Sequence, residues 1–134
     1  MKIRAKNGEQ TVDITLPATD MDIQYCMKCI GIEDIVPVCC ISEVRDEPSY
    51  FGFLKGQTVN MDELNFFARR LDGMTEYEKR VVGVYSSETG IREMKQLINL
   101  TYSLQGPFSC LFSCCNCLIY LYNIFWSLYV NSLE

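Results

Sequence analysis

The stretch TVNMDELNFFARRLDGMTEYEKRVVGVY (residues 58–85) carries two complete sets of helix-boundary signals in succession, which leaves little freedom in what it can fold into. Asn60 is a good N-cap and Glu63 sits at the third helical position, from which a carboxylate can reach back. Val59 and Leu64 are spaced as a hydrophobic staple. Leu64, Phe67, Ala68 and Leu71 then recur on one stripe, so Asp62, Glu63, Asn65, Arg69 and Arg70 are expected mainly on the outside. Gly73 ends this helix. Thr75 and Glu78 repeat the Thr-x-x-Glu capping box, and Tyr77, Val81, Val84 and Tyr85 continue helical apolar spacing. The stretch predicts two helices joined by a tight turn.

A third helix is predicted in IREMKQLINLTYSL (residues 91–104), with Ile91, Met94, Ile98, Thr101 and Tyr102 on one side and Leu97, Leu100 and Leu104 widening the stripe. Gly106-Pro107 stops it. Upstream, Ile3 and Ala5 alternate with Lys and Arg, Asn7-Gly8 supplies a hairpin turn, and Val12, Ile14 and Leu16 alternate with polar partners. Thr19 or Asp20 can cap a following helix whose apolar positions are Ile23, Cys26, Met27 and Ile30, with Asp20 and Asp22 in its first turn and Gly31 at its end. DIVPVCCISEVR offers a short strand, with Pro37 near an edge or at the strand start. DEPSYFGFLKGQ reads as a loop or short irregular hairpin. The expected fold class is α+β: a small β-β-α-β unit (residues 1–57), a three-helix segment (58–105) and an apolar tail (106–134).

That tail, FSCLFSCCNCLIYLYNIFWSLYV (residues 108–130), carries no charge and is rich in cysteine and aromatic residues. It reaches the length of about 18 to 20 apolar residues that a membrane span needs. Ser109, Ser113, Asn116, Asn123 and Ser127 interrupt it, however, and basic flanks are absent. A single membrane span here is therefore an alternative expectation.

Composition narrows the chemistry. The 134 residues hold 12 Lys and Arg against 17 Asp and Glu, a net charge of -5, which argues against holding a polyanion by bulk attraction. Histidine is absent, so Ser-His and Cys-His nucleophile pairs and imidazole metal ligands are excluded. The segments GEQ, GFLKG and GVYSSETG match neither the P-loop nor the dinucleotide fingerprint. No enzyme and no cofactor are expected. The opening MKIRAKNGEQTVDI lacks the apolar run of a secretory leader, so a reducing cytoplasm with free thiols is the expected setting.

Cys26-Met27-Lys28-Cys29 is a C-x-x-C that Cys39-Cys40 could complete as a thiolate metal module, a further alternative. Cys26 nonetheless shares the apolar helix face with Ile23, Met27 and Ile30, so the cysteines read first as small buried hydrophobes and no metal is expected. The carboxylates Asp62, Glu63, Glu76 and Glu78 occupy first-turn positions, where capping and dipole compensation account for them at about 0.3 to 1 kcal/mol each. Held on adjoining helix starts, they also make a rigid, spaced acidic surface.

MDELNFFARRLDGMTEYEKRVV, followed at the right distance by IREMKQLINLTYSL, resembles the ArdA antirestriction family, with its Leu-Asn-x-x-Ala-x-x-Leu helix, acidic second helix and later Leu-Ile-Asn-Leu-Thr helix. The matching positions are Glu63, Leu64, Asn65, Ala68, Leu71, Glu76, Tyr77 and Glu78, then Met94, Lys95, Leu97, Ile98, Asn99, Leu100 and Thr101. The likeness covers residues 59–104 clearly and the first unit more loosely. It implies a protein of a mobile element, built from small α/β modules that often form homodimers. Such proteins carry rows of carboxylates that imitate DNA phosphates in the binding groove of type I restriction-modification enzymes, without touching nucleic acid themselves. Carried onto this chain, the expected acidic surface is Asp62, Glu63, Asp72, Glu76 and Glu78, with Asp46 and Glu47 from the preceding loop. Beyond Leu104 the family continues with another acidic α/β stretch; the apolar tail stands in its place here, as a frameshift or truncation would produce.

Overall fold

The computed structural model describes residues 1–46 and 50–105, with side chains as far as Ser103. Strand β1 (Lys2–Asn7) pairs antiparallel with β2 (Gln10–Thr15) through the Asn7-to-Gln10 turn, where Gly8 takes φ +64°, a conformation that glycine adopts without Cβ strain. Helix α1 (Asp20–Cys29) follows, with the Thr19 hydroxyl accepting from the Asp22 N–H. The chain returns as β3 (Val38–Val44) on the other side of β1. The β-β-α-β order expected of the first unit is thus present.

Pro37 lies just before β3, at the strand start, as expected. One feature differs from expectation: residues 58–60 form a fourth strand, which makes β3 interior. This strand, β4 (Thr58–Asn60), pairs antiparallel with β3 through Val38–Asn60, Cys39–Val59 and Cys40–Thr58. The sheet order is β2-β1-β3-β4. Between β3 and β4 the described chain makes a single 3₁₀ turn at Gly52–Leu54. The register of β1 against β3 shifts between Arg4 and Ala5, and Ser42, the extra residue, donates its hydroxyl to the Arg4 carbonyl at 3.1 Å.

One face of the sheet is apolar and one is charged, as period-two alternation requires. Ile3, Ala5, Ile14, Cys39, Ile41 and Val59 are buried. On the other face Arg4 pairs with Asp13 at 2.8 Å, and Asp13 also holds Arg45 at 2.7 Å.

Helix α2 (Met61–Asp72) begins as the capping signals demand: the Asn60 side chain accepts from the Asp62 and Glu63 N–H groups, and Gly73 caps the other end. Helix α3 (Glu76–Thr89) has the full reciprocal Thr75/Glu78 box and ends on Gly90 at φ +73°. Helix α4 (Met94–Gln105) starts three residues later than the apolar spacing from Ile91 suggested. Ile23, Met27 and Ile30 from the α1 region, Met61, Leu64, Phe67 and Leu71 from α2, Val81 and Val82 from α3, and Met94 and Leu97 from α4 join the sheet face in one buried cluster. That cluster crosses residue 57, so the sheet and the helices share a core.

Burial also revises individual assignments. Asn65, expected outside, is only 3 % exposed, whereas Tyr77 and Tyr102, expected on apolar stripes, are about half exposed. Tyr102 lies under the Arg70 guanidinium, whose carbon is 3.7 Å from the ring centroid, and gains there what it does not gain by burial.

Candidate functional site

Helix α2 is tied to the α1 region at two points. At one end, Asn65 and Arg69 of α2 bond the Ala18 carbonyl beside the start of α1, and Arg69 comes within 4.0 Å of Asp20. At the other end, the Met61 N–H donates to the Pro37 carbonyl at 2.8 Å, tying the start of α2 to the loop that leaves α1. Between the helices lies a groove of about 630 Å³. Helix α1 contributes Asp20, Ile23, Gln24, Met27 and Lys28; α2 contributes Asp62, Asn65, Phe66 and Arg69, both sets at the three- and four-residue steps of one helix face. The loop between α1 and β3 closes the third side with Ile32, Glu33, Asp34, Ile35 and Pro37.

Four carboxylates therefore surround this groove, Asp20, Asp62, Glu33 and Asp34, against two cations, Lys28 and Arg69. Asp20 and Asp62 are first-turn residues of different helices, where each is favoured by the partial positive charge of unpaired backbone N–H groups. Of the four, only Asp62 was among the residues expected from sequence. Asp20 was legible as a helix-start acid and Glu33-Asp34 as an acidic pair after Gly31, but their common location depends on how α1 and α2 pass.

The other expected acids fall elsewhere. Asp46, Asp72 and Glu76 line a second groove of about 550 Å³ together with Lys2, Arg45 and Lys79. There Asp46 accepts from the Lys2 N–H at 2.7 Å and lies 3.8 Å from the terminal ammonium, while Glu76 is 3.2 Å from Lys79 Nζ. This groove is of mixed sign. Glu63 lines a third, of about 460 Å³, with Arg92, Glu93 and Lys95. Glu78 accepts from the Thr75 N–H at 3.2 Å and serves the cap of α3. Glu47 lies outside the described residues. Among the described residues no ion pair reaches Asp62, Glu63, Asp72 or Glu78.

Two arginines of the helical segment, Arg70 and Arg92, are held against the protein body. Arg70 lies on Tyr102 and bonds the Thr101 hydroxyl at 3.3 Å; Arg92 lies 4.9 Å from the Phe53 ring centroid and donates to the Ser86 and Ile91 carbonyls.

Burial pushes the Cys39 thiol up to about 11, and desolvation raises Cys26 as well, so both are protonated near neutral pH. Among the described residues no cluster of three or more Cys, Asp or Glu is arranged to hold a metal ion. No helix among them is long and apolar enough to cross a membrane, and residues 108–130, read as an alternative span, lie outside the described residues. Comparisons with protein-family models, with curated proteins and with solved structures find no match for the chain.

Proposed function

We propose that this protein inhibits a type I restriction-modification enzyme by offering carboxylates where that enzyme expects DNA phosphates, with the groove between α1 and α2 at the contact. The observation that carries this reading is that Asp20 and Asp62, from two separate helix starts, line one groove together with Glu33 and Asp34. Acids anchored on helix termini and a short loop are spaced rigidly, which a cleft built for a stiff duplex requires. The resemblance of residues 59–104 to ArdA proteins supports the choice of target. Attraction of this kind acts between protein surfaces, weakens with salt as DNA binding does, and needs no catalytic group.

The experiment is a competition between this protein and duplex DNA for a purified type I enzyme across a salt series. Inhibition is expected to fall as salt rises. A set reversing Asp20, Glu33, Asp34 and Asp62 to Lys should lose at least tenfold in potency while keeping its helical circular dichroism. Reversal of Asp46 and Asp72 in the mixed groove should matter less. Full inhibition by the first set would overturn the proposal.

A further inference from the structure

The same groove has a feature that phosphate imitation leaves unused. Its floor and one rim are apolar: Ile23, Met27 and Ile32 are buried beneath it, and Ile35 stands 99 % exposed at its edge with Phe66 42 % exposed on the facing helix. Val36, next to Ile35, is 56 % exposed. Among the described residues, Ile35 and Phe66 line the same groove with their side chains open to solvent, an apolar contact surface. The charges around it are not evenly placed. At the Ala18 end Asp20 faces Arg69 and the pair is balanced; at the Pro37 end Asp62, Glu33 and Asp34 outnumber Lys28. The apolar edge is part of that acidic end, because Ile35 follows Asp34 and lies two residues before Pro37.

We infer that the acidic end of the α1/α2 groove docks a basic amphipathic segment of a protein partner, an apolar side chain seating against Ile35 and Phe66 while its Lys or Arg residues meet Glu33, Asp34 and Asp62. Charge complementarity selects the occupant: a net acidic rim rejects nucleic acid and anionic lipid, and the apolar edge rewards a segment that carries large apolar residues next to its cations. This deepens the reading of the groove as the contact with a restriction enzyme and rests on it for the identity of the partner, though not for the chemistry. Apolar contact adds a component of binding that salt does not screen.

The probe is a synthetic fluorescent peptide of Leu and Lys at amphipathic helical spacing, titrated with the full chain and read by anisotropy. A peptide of equal charge lacking Leu, and one with Glu in place of Lys, serve as comparisons. The Leu-Lys peptide should bind at least tenfold more tightly than either. Ile35→Ser, at a position whose exposure makes folding indifferent to the change, should cost at least fivefold, and Glu33→Lys with Asp34→Lys a similar factor that shrinks at high salt. Equal affinity for the peptide lacking Leu, or no effect of Ile35→Ser, would overturn the inference. So would loss of binding to neutral lipid vesicles on Ile35→Ser with peptide affinity unchanged, which would assign the edge to a bilayer. Because the peptide assay contains no restriction enzyme, its outcome is separate from that of the competition with DNA.

Discussion

The Asn65 side chain closes a two-bond ring on the Ala18 backbone, accepting from its N–H at 2.9 Å and donating to its carbonyl at 3.0 Å. The two residues are 47 positions apart, and the ring fixes where the start of α1 meets α2. Asn65 is buried, so each bond lost would leave a backbone group of Ala18 shielded from water, although Arg69 also reaches the carbonyl at 3.3 Å. Asn65→Leu keeps the volume but not the bonds and should destabilise the fold by about 2 kcal/mol or more in denaturant titration. An unchanged midpoint would mean that water replaces the amide.

Gly83 is buried on α3 where that helix crosses Tyr50, and a Cβ there would stand 2.5 Å from the Tyr50 carbonyl oxygen. Helix propensity alone favours Gly83→Ala by about 1 kcal/mol. The clash is with backbone, which must shift, at a cost of about 1 to 3 kcal/mol. The variant should therefore melt at a lower temperature than the parent, and a higher melting point would show that α3 can move off Tyr50.

Thr75→Ala removes the acceptor of the Glu78 N–H and should cost about 1 kcal/mol, whereas Thr75→Ser should be close to neutral. Glu78 is tied into the same box, so Glu78→Gln should hold the helix and Glu78→Lys should not. Thermal melts of the four variants order these outcomes.

Asp13 is held below the usual carboxylate range, first by its hydrogen bond from Arg4 and then by the charges of Arg4 and Arg45. With the folded value lowered, the stabilisation is fully present above the unfolded aspartate value of about 4 and is lost as pH falls through the folded value. Asp13→Asn should therefore flatten the decline of melting temperature below about pH 4, and only modestly, since the pair is open to solvent. A decline as steep as the parent's would remove Asp13 as its source.

Cys39 is buried with its thiol raised to about 11, while Cys29 is exposed. Among the cysteines of the described residues, alkylation at neutral pH followed by peptide mapping should modify Cys29 first and Cys39 only as the fold opens. Simultaneous labelling would place Cys39 in a locally unfolding strand.

Local chemistry made much of the fold legible. The caps of α2 and α3 were readable because Asn60, Thr75, Glu78 and Gly73 act on backbone groups within a few residues. Strand β4 was not, since Thr58, Val59 and Asn60 make too short a run to show alternation and acquire strand geometry only by pairing with β3. Asn65 read as a surface amide for the same reason: a polar residue on a helix declares its burial only through a partner, and Ala18 is far away in sequence. The resemblance residues Leu64, Asn65, Ala68, Leu71, Leu97 and Thr101 are all buried. Glu76, Tyr77, Lys95 and Asn99, from the same resemblance, are exposed.

By itself the sequence determined the α+β class, both ends of α2, the start of α3 and an acidic character without histidine chemistry, because these follow from interactions a few residues long and from composition; α3 runs on to Thr89, past the Ser86–Gly90 break the sequence suggested, and α4 begins only at Met94. Only the tertiary structure decided which acids stand together. It set Asp62 on one groove with Asp20, Glu33 and Asp34, gathered Asp46, Asp72 and Glu76 on a second among cations, and left Glu63 on a third, because co-location depends on long-range contacts such as the bonds of Asn65 to Ala18 and of Met61 to Pro37.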